Sequence, residues 1–514
     1  WYRGEAMQFV QSRLGKSTDN RLAAFLKPDY VRDILEQHQS GGRNHRLLIW
    51  SFLCLNSWIE RNFPDLFDNR SGRFVRETES TGPEKWVDGP ENVQLGSARS
   101  YPDVAVNEER IRTHVWTESG IGGSQAGEIA VRRWDADGNP LEDPQQVNIT
   151  TDDIQRHPRV AASNNATALI IWQSWELAPG ASAERVVIRS RLYETNIGFL
   201  SPEQKISTVP TNFATDAHAD VAALRTADTG STGGFAVVWT SANSDGSDTG
   251  NSIQGCVIST SGVPGAQFQV NSRDNAGGEN YPSVTELKDG GFLVAWSVGN
   301  QIWGRRFNAA GGPIGNDFQI STTGSNARYD VDAAIGWDGK ILVAWSDAEA
   351  DGGTNGKEIY GRLFGPDLTP LGPDFRVNSL TAGAQEDPKV AEAGPAGFLM
   401  VWQSFQASGA DLGESIEARL VTGPNQFAGP QFQLNVWDND NAQGQPGAHG
   451  WYGHSATTWR SLTWNGNPPP NNQNEPFIIG RDIEDCIFCD DFDWFDPGGT
   501  GNLWRWTLAL GASP

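Results

Sequence analysis

Between positions 268 and 321 the chain reads Phe268-Gln-Val-Asn271, Tyr281-Pro-Ser-Val284, Gly291-Phe-Leu-Val-Ala-Trp296 and Ile302-Trp-Gly-Arg-Arg-Phe307, then begins again at Phe318-Gln-Ile-Ser321. Each piece is a short run rich in β-branched and aromatic residues, bounded by Gly, Asn or Asp, which is the composition of a strand between turns. The tryptophan that ends the third piece recurs at Trp116, Trp172, Trp239, Trp296, Trp345, Trp402 and Trp464, at intervals of 49 to 67 residues. A four-stranded unit cannot cover both faces of its own sheet, so copies must stack on one another, and seven of them close radially. Each of these tryptophans closes an apolar run such as Leu293-Val-Ala-Trp296, which makes it core rather than a platform for carbohydrate. Trp175 and Trp303, off the anchor positions, are expected to be exposed and free for ligand contact.

The fold class expected is all-β: a seven-bladed β-propeller of four-stranded blades over residues 92–483, with a small α-helical N-terminal segment. First strands fall at 92–95, 145–148, 204–207, 268–271, 318–321, 375–378 and 432–435. If each is the outer strand of the preceding blade, 92–95 is left to pair with the last strand, 477–483, and so to close the ring and remove its open edges. On that phasing, truncation to residue 100 opens the ring and truncation to residue 88 does not. Alternating strand directions gather the long loops, 241–251 and 272–281, on one face and tight turns such as 289–290 on the other. The long-loop face is the expected binding face.

The repeat resembles that of bacterial propeller proteins with the wording "FQVN…P.VA…GGFVVAW…I.GRRF…G.P.G". The resemblance implies a scaffold that binds more often than it catalyses. Residues 1–63 stand outside the repeat. Pro28-Asp29 suits a helix start, with Val31, Ile34, Leu35 and His38 at helical spacing, and a second apolar helix follows the Gly41-Gly42 break. This stretch, preceded by "WYRGE", resembles the C-terminal tail of glutamine-hydrolysing asparagine synthetases, joined either by a genuine fusion or by read-through from a neighbouring gene. Neither the family's N-terminal cysteine nucleophile nor its Ser-Gly-Gly-x-Asp-Ser loop for ATP occurs; Ser40-Gly41-Gly42 lies between helices and does not cradle phosphate. Residues 64–91 read as a linker and 484–514 as an acidic Cys-x-x-Cys tail. Within that tail, 485–506 resembles a C-terminal segment of secreted Gram-negative proteins, which implies an extracellular or cell-surface propeller; a genuine synthetase fusion would instead be cytoplasmic.

A net charge of -24 over 514 residues disfavours nucleic acid and anionic membranes as partners. Residues 1–62 carry nine Lys+Arg against six Asp+Glu, so the acidity belongs to the rest of the chain. The longest apolar stretch, 47–59, is too short for a bilayer that needs about 20 residues. Four cysteines, Cys54, Cys256, Cys486 and Cys489, are too few for a disulfide scaffold. Two further ligands for zinc do not accompany the Cys486/Cys489 pair.

No nucleophile elbow, zinc helix or phosphate loop is present, and the histidines at 38, 45, 114, 157, 218, 449 and 454 are scattered, with only His449 and His454 close together. Asp135-Ala-Asp-Gly-Asn139 imitates a calcium loop, but the equivalent turns at 308–313, 259–264 and 365–370 share a proline ending rather than carboxylates. The acidic loops 245–248 and 347–351 are where calcium would bind, weakly. No catalytic, cofactor or metal residue is assigned. The function expected is therefore a non-catalytic binding or surface-interaction propeller for a protein or glycan. The alternatives are a propeller hydrolase acting on glycans and a fragment or fusion of an asparagine synthetase.

Overall fold

The computed structural model describes residues 80–81, 85–88 and 98–484, apart from loop segments at 120–126, 152, 164–166, 177–184, 195–196, 208–216, 226–231, 243–249, 273–277, 323, 349–355, 382, 395–396, 406–413, 436–442, 452–453 and 462–476. The synthetase-like stretch, the C-terminal tail, Cys54, Cys486, Cys489, Trp464 and the strand expected at 92–95 lie outside the described residues. Among the described residues no helix is long and apolar enough to cross a membrane.

Seven antiparallel sheets make the ring expected from the repeat. Blade 4 is representative: Glu279–Glu286 is innermost, followed outward by Phe292–Val298, Gln301–Phe307 and Pro313–Gln319. Innermost strands of the other blades are Ala98–Val106, Ile154–Ala162, Asp220–Arg225, Arg328–Ile335, Gln385–Glu392 and Gln443–Trp451, which define blades 1, 2, 3, 5, 6 and 7. Six anchors sit where the repeat puts them, at 0–1% exposure, and the seventh is Trp459, also 1% exposed. Trp459 restores the interval of 57 residues seen twice elsewhere, and a tally of tryptophans alone could not separate it from Trp464. In blades 2, 6 and 7 the indole N–H finds a buried acceptor, Trp172 on Gln155 (2.7 Å), Trp402 on Gln385 (2.9 Å) and Trp459 on Gln443 (3.1 Å), so these three rings bury their area with the donor bonded.

The repeat wording has a hydrogen-bonding reason. The Asn or Ser ending "FQVN" turns back and accepts from the N–H of the isoleucine in its own blade's third strand: Ile129 on Asn148, Ile188 on Ser207, Ile253 on Asn271, Ile302 on Ser321, Ile359 on Asn378 and Ile416 on Asn435, all at 2.8–2.9 Å. The first arginine of "GRRF" donates both to its own turn and to the preceding blade. Arg362 reaches Gly372 O (3.0 Å) and Ile320 O (2.6 Å), and Arg191, Arg305 and Arg419 repeat the pattern. In blade 3 Cys256 stands in that position, buried, with its thiol toward Gly265 O at 3.4 Å; burial pushes the thiol up to about 11.

Ring closure uses an N-terminal strand, as expected, but a different one. Lys85–Trp86 pairs with Phe477–Glu484 through Lys85↔Gly480 and Trp86↔Ile479, and Val87 N–H continues the ladder to Ile478 O at 3.0 Å. Arg132 of blade 1 donates to Val87 O (3.3 Å), the contact its counterparts make to the third residue of "FQVN". Lys85-Trp-Val-Asp88 is therefore the seventh copy of that motif, seven residues before the position read from the sequence. The misreading came from Asn92-Val-Gln-Leu95, which has the composition of the motif without its terminal valine and polar cap. Asp88 is buried and bonds Arg99 at 2.9 Å, and Arg99 also reaches Glu118 at 3.1 Å. A truncation to residue 88 thus removes the closing strand, contrary to the phasing derived from the sequence.

Candidate functional site

Innermost strands start, and second strands end, on the face that carries the long inter-blade loops. On this face the channel widens into a funnel with a cavity of about 320 Å³, within the size range of small-ligand pockets. The loop strand-ends at 242 and 251, and at 272 and 279, belong to this rim, whereas the loop interiors lie outside the described residues.

One backbone feature repeats around the funnel. Tyr101, His157, His218, Tyr281, Asp330, Asp387 and Gln445 occupy equivalent positions, one per blade, and all have φ between 45° and 58°. All seven line the cavity. In six blades the inner strand slips register here, for example between Asn280 and Ser283 and between Glu386 and Lys389. The bulge tips one side chain out of the sheet and into the channel. An L-residue in this left-handed region costs on the order of 1 kcal/mol or more.

The lining divides into two arcs. From blade 1 to blade 4 it is aromatic: Tyr101 stacks on His157 with centroids 3.8 Å apart, His157 lies 6.1 Å from Trp175, and His218 lies 4.2 Å from Tyr281. Tyr281 in turn meets Tyr329 edge-on at 6.0 Å. Across blades 5 and 6 it is ionic: Lys357 contacts Glu386 at 2.9 Å and Asp330 at 3.4 Å, and Lys389 contacts Asp387 at 2.8 Å. Gln445 of blade 7 accepts from Tyr101 N–H at 2.7 Å and completes the circle.

Two residues further along each inner strand lies a second layer. Asp103 accepts from Val160 N–H (2.9 Å), Asp220 from Val284 N–H (2.8 Å), Ser283 from Ala333 N–H (3.1 Å) and Asp332 from Val390 N–H (2.7 Å), each tying its blade to the next. Arg159 and Lys389 stand in the same layer. The charged groups of this layer are half-buried, while Ser283 is buried. Burial pushes Asp332 up to about 7 against the pull of Lys389, with Asp220 adding repulsion, and raises Asp103 to about 6. Asp220 is raised for the same first reason. Burial works against the Lys389 ammonium, but Asp387 and Asp332 outweigh it and its pKa ends above the ordinary lysine value. The funnel therefore holds a carboxyl whose pKa burial raises toward neutrality, beside carboxylates paired with ammonium groups.

No funnel residue was assigned from the sequence. The signal was present in the repeat: at the position before the recurrent proline, the copies read Tyr101, His157, Tyr281, Asp387 and Gln445 while their neighbours stay alike. Trp175 and Trp303 are half-buried rather than exposed, because Trp175 packs on the core and Trp303 sits across from Trp296 in the ladder; Trp337, 52% exposed, lies on a turn of the opposite face. His157 and His218, two of the scattered histidines, both line the funnel. His449 and His454 do not: they belong to the blade 7 ladder, where His449 Nδ1 accepts from Val106 N–H at 3.2 Å. Asp135–Asn139 forms the same hydrogen-bonded turn as 308–312 and 365–369. Asp347, from the second acidic loop, is engaged by Arg328 at 2.9 Å, and residues 245–248 and 349–351 lie outside the described residues. Among the described residues no group of three metal-ligating side chains comes together.

No family model matches the chain, and no curated protein does. Among solved structures it is similar to a protein of unknown function from Dyadobacter fermentans DSM 18053, with 10% identity, TM-score 0.44, and coverage of 79% of this chain and 98% of that one. It is similar to the GH93 α-L-arabinofuranosidase of Fusarium graminearum complexed with arabinobiose, with 11% identity, TM-score 0.39 and coverage of 66% and 98%. The α-L-arabinanase of Penicillium chrysogenum gives 13% identity, TM-score 0.38 and coverage of 65% and 95%.

Proposed function

We propose that the funnel takes a neutral glycan and hydrolyses it, so that the chain is a propeller glycosidase rather than a binder alone. The observation that carries this reading is the convergence in the funnel of Asp332 in a desolvated niche with Asp330 of its own strand and Asp387 of the neighbouring blade, the latter two on lysine partners. Glycoside hydrolysis needs one carboxyl that donates a proton to the departing oxygen and another that assists the incoming water, and two environments that differ this way supply both. Asp332 is the proton donor in this reading, and Asp330 and Asp387 are the candidates for the base. A sugar also suits the rest of the lining: its C–H face stacks on aromatic rings, and its hydroxyls bond to carboxylates, amide and ammonium groups. Five lining carboxyls, Asp220, Asp330, Asp332, Glu386 and Asp387, face three cations, Arg159, Lys357 and Lys389. That balance favours a neutral substrate over an acidic one. Secretion, as implied by the tail, would place the enzyme among extracellular polysaccharides.

The test is release of reducing sugar from arabinan, xylan, galactan and β-glucan, with binding measured in parallel. Wild-type turnover on one of them, lost about 10²–10⁴-fold in Asp332→Asn while binding persists, supports the reading. Binding without turnover by the wild type would return the chain to the non-catalytic class, and absence of both would remove the funnel as a glycan site.

A further inference from the structure

We infer that the seven bulge residues, Tyr101, His157, His218, Tyr281, Asp330, Asp387 and Gln445, are a substrate-selecting ring whose side chains are retained for ligand contact. The inference rests on the glycan reading and assigns its specificity to particular positions.

All seven residues sit in the left-handed region, where glycine is the residue without a steric penalty, and the chain uses 58 glycines elsewhere. It places glycine at positive φ in turns such as Gly138, Gly262, Gly290 and Gly311, yet at none of the seven funnel positions. A bulge kept only to bend the inner strand would tolerate glycine. The side chains present differ in chemistry from blade to blade, while the strain is the same in every blade. Uniform strain with variable side chains, all converging on one cavity, is the pattern of a scaffold that presents contacts. The same chain supplies a control: Arg110, Leu368 and Asn425 are also non-glycine residues at positive φ, but they lie in turns outside the funnel lining.

The two arcs give the ring a direction. Tyr101, His157, His218 and Tyr281 offer ring faces to the apolar side of a sugar, and Asp330, Asp387 and Gln445 offer acceptors and an amide to its hydroxyl edge. Asp330 and Asp387 thus select as well as serve the chemistry. Tyr281, which also packs on a neighbouring core cluster, and Gln445, which also accepts from Tyr101 N–H, take no part in the proposed proton transfer and serve as probes, one from each arc.

The experiment compares Tyr281→Gly and Gln445→Gly with Leu368→Gly and Asn425→Gly in the full chain. Thermal unfolding and calorimetric titration with arabinobiose, xylobiose and cellobiose are read side by side, with sialyllactose as the acidic control. The expected result is that all four variants melt within a few degrees of the wild type, while the two funnel variants lose tenfold or more in affinity for the disaccharide that binds and the two turn variants lose none. Melting temperatures that fall sharply for Tyr281→Gly and Gln445→Gly alone would show that these side chains serve folding. A disaccharide bound equally by all four variants would remove the ring from recognition while leaving a glycan site. Failure of every disaccharide to bind the wild type would overturn the glycan reading and this inference with it.

Discussion

Arg99 holds the closing strand to blade 1, and replacing it with methionine is the sharpest probe of how the ring is fastened. The guanidinium is 1% exposed and lies between Asp88 of the closing strand, at 2.9 Å, and Glu118, at 3.1 Å, with Trp116 Nε1–H also on Glu118 at 3.3 Å. Removing it leaves two carboxyls facing each other in a buried niche, and breaking a buried ion pair from one side costs roughly 3–5 kcal/mol. The cost depends on pH with a definite sign. Burial already raises Asp88 to about 7, with Arg99 pulling it down and Glu118 pushing it up. A carboxyl raised on folding contributes stability that is present below its ordinary value near 3.8 and lost as pH rises through about 7. Without Arg99 the rise is larger, so Arg99→Met is expected to be more destabilised at pH 8 than at pH 5. Chemical denaturation at the two pH values measures the difference, and hydrogen exchange at the Val87 amide reports whether the latch opens first. Adding Asp88→Asn and Glu118→Gln should recover most of the loss. A variant as stable as the wild type, or one destabilised equally at both pH values, would refute the reasoning.

Other consequences are open to equally direct measurement. Trp459→Ala is expected to cost about 3–5 kcal/mol in denaturation, as Trp402→Ala should, because both rings are fully buried and bonded to a glutamine. Asn378→Ala leaves the Ile359 N–H without its acceptor and should cost about 1–3 kcal/mol by the same assay. Turnover should fall as pH rises through about 7, where Asp332 loses the proton it donates, and a pH–rate profile checks it.

The features legible in the sequence were those that repeat a side-chain type at a fixed place. Trp116 through Trp402, the "FQVN" cap and the "GRRF" arginine are read directly because packing and hydrogen bonding favour those side chains in most blades, blade 3 with Cys256 for the arginine being an exception. Closure was legible as a count, one outer strand in advance of the first full blade, but not as a position: Lys85-Trp-Val-Asp88 keeps only the valine and a polar cap, and its identity rests on Arg132 and Ile478 across the gap. The funnel was illegible for the opposite reason. Its residues differ from blade to blade, and what unites Tyr101, His218 and Gln445 is a backbone conformation set by a bulge that composition does not reveal. The partial exception is the proline that follows five of the seven. The raised pKa of Asp332 comes first from burial, opposed by Lys389 and Arg159 and aided by Asp220, groups from three other blades up to 173 residues away in sequence, so no local pattern announces it.

Whether the funnel holds a glycan between its aromatic and ionic arcs is decided by a crystal structure of the full-length Asp332→Asn protein soaked with a neutral oligosaccharide that the wild type cleaves. The expected density is a sugar ring lying on the Tyr281 and Tyr101 side, with hydroxyls on Asp387 and Gln445 and a glycosidic oxygen beside residue 332. A sugar bound on the opposite face or the outer rim, with the funnel empty, would contradict it.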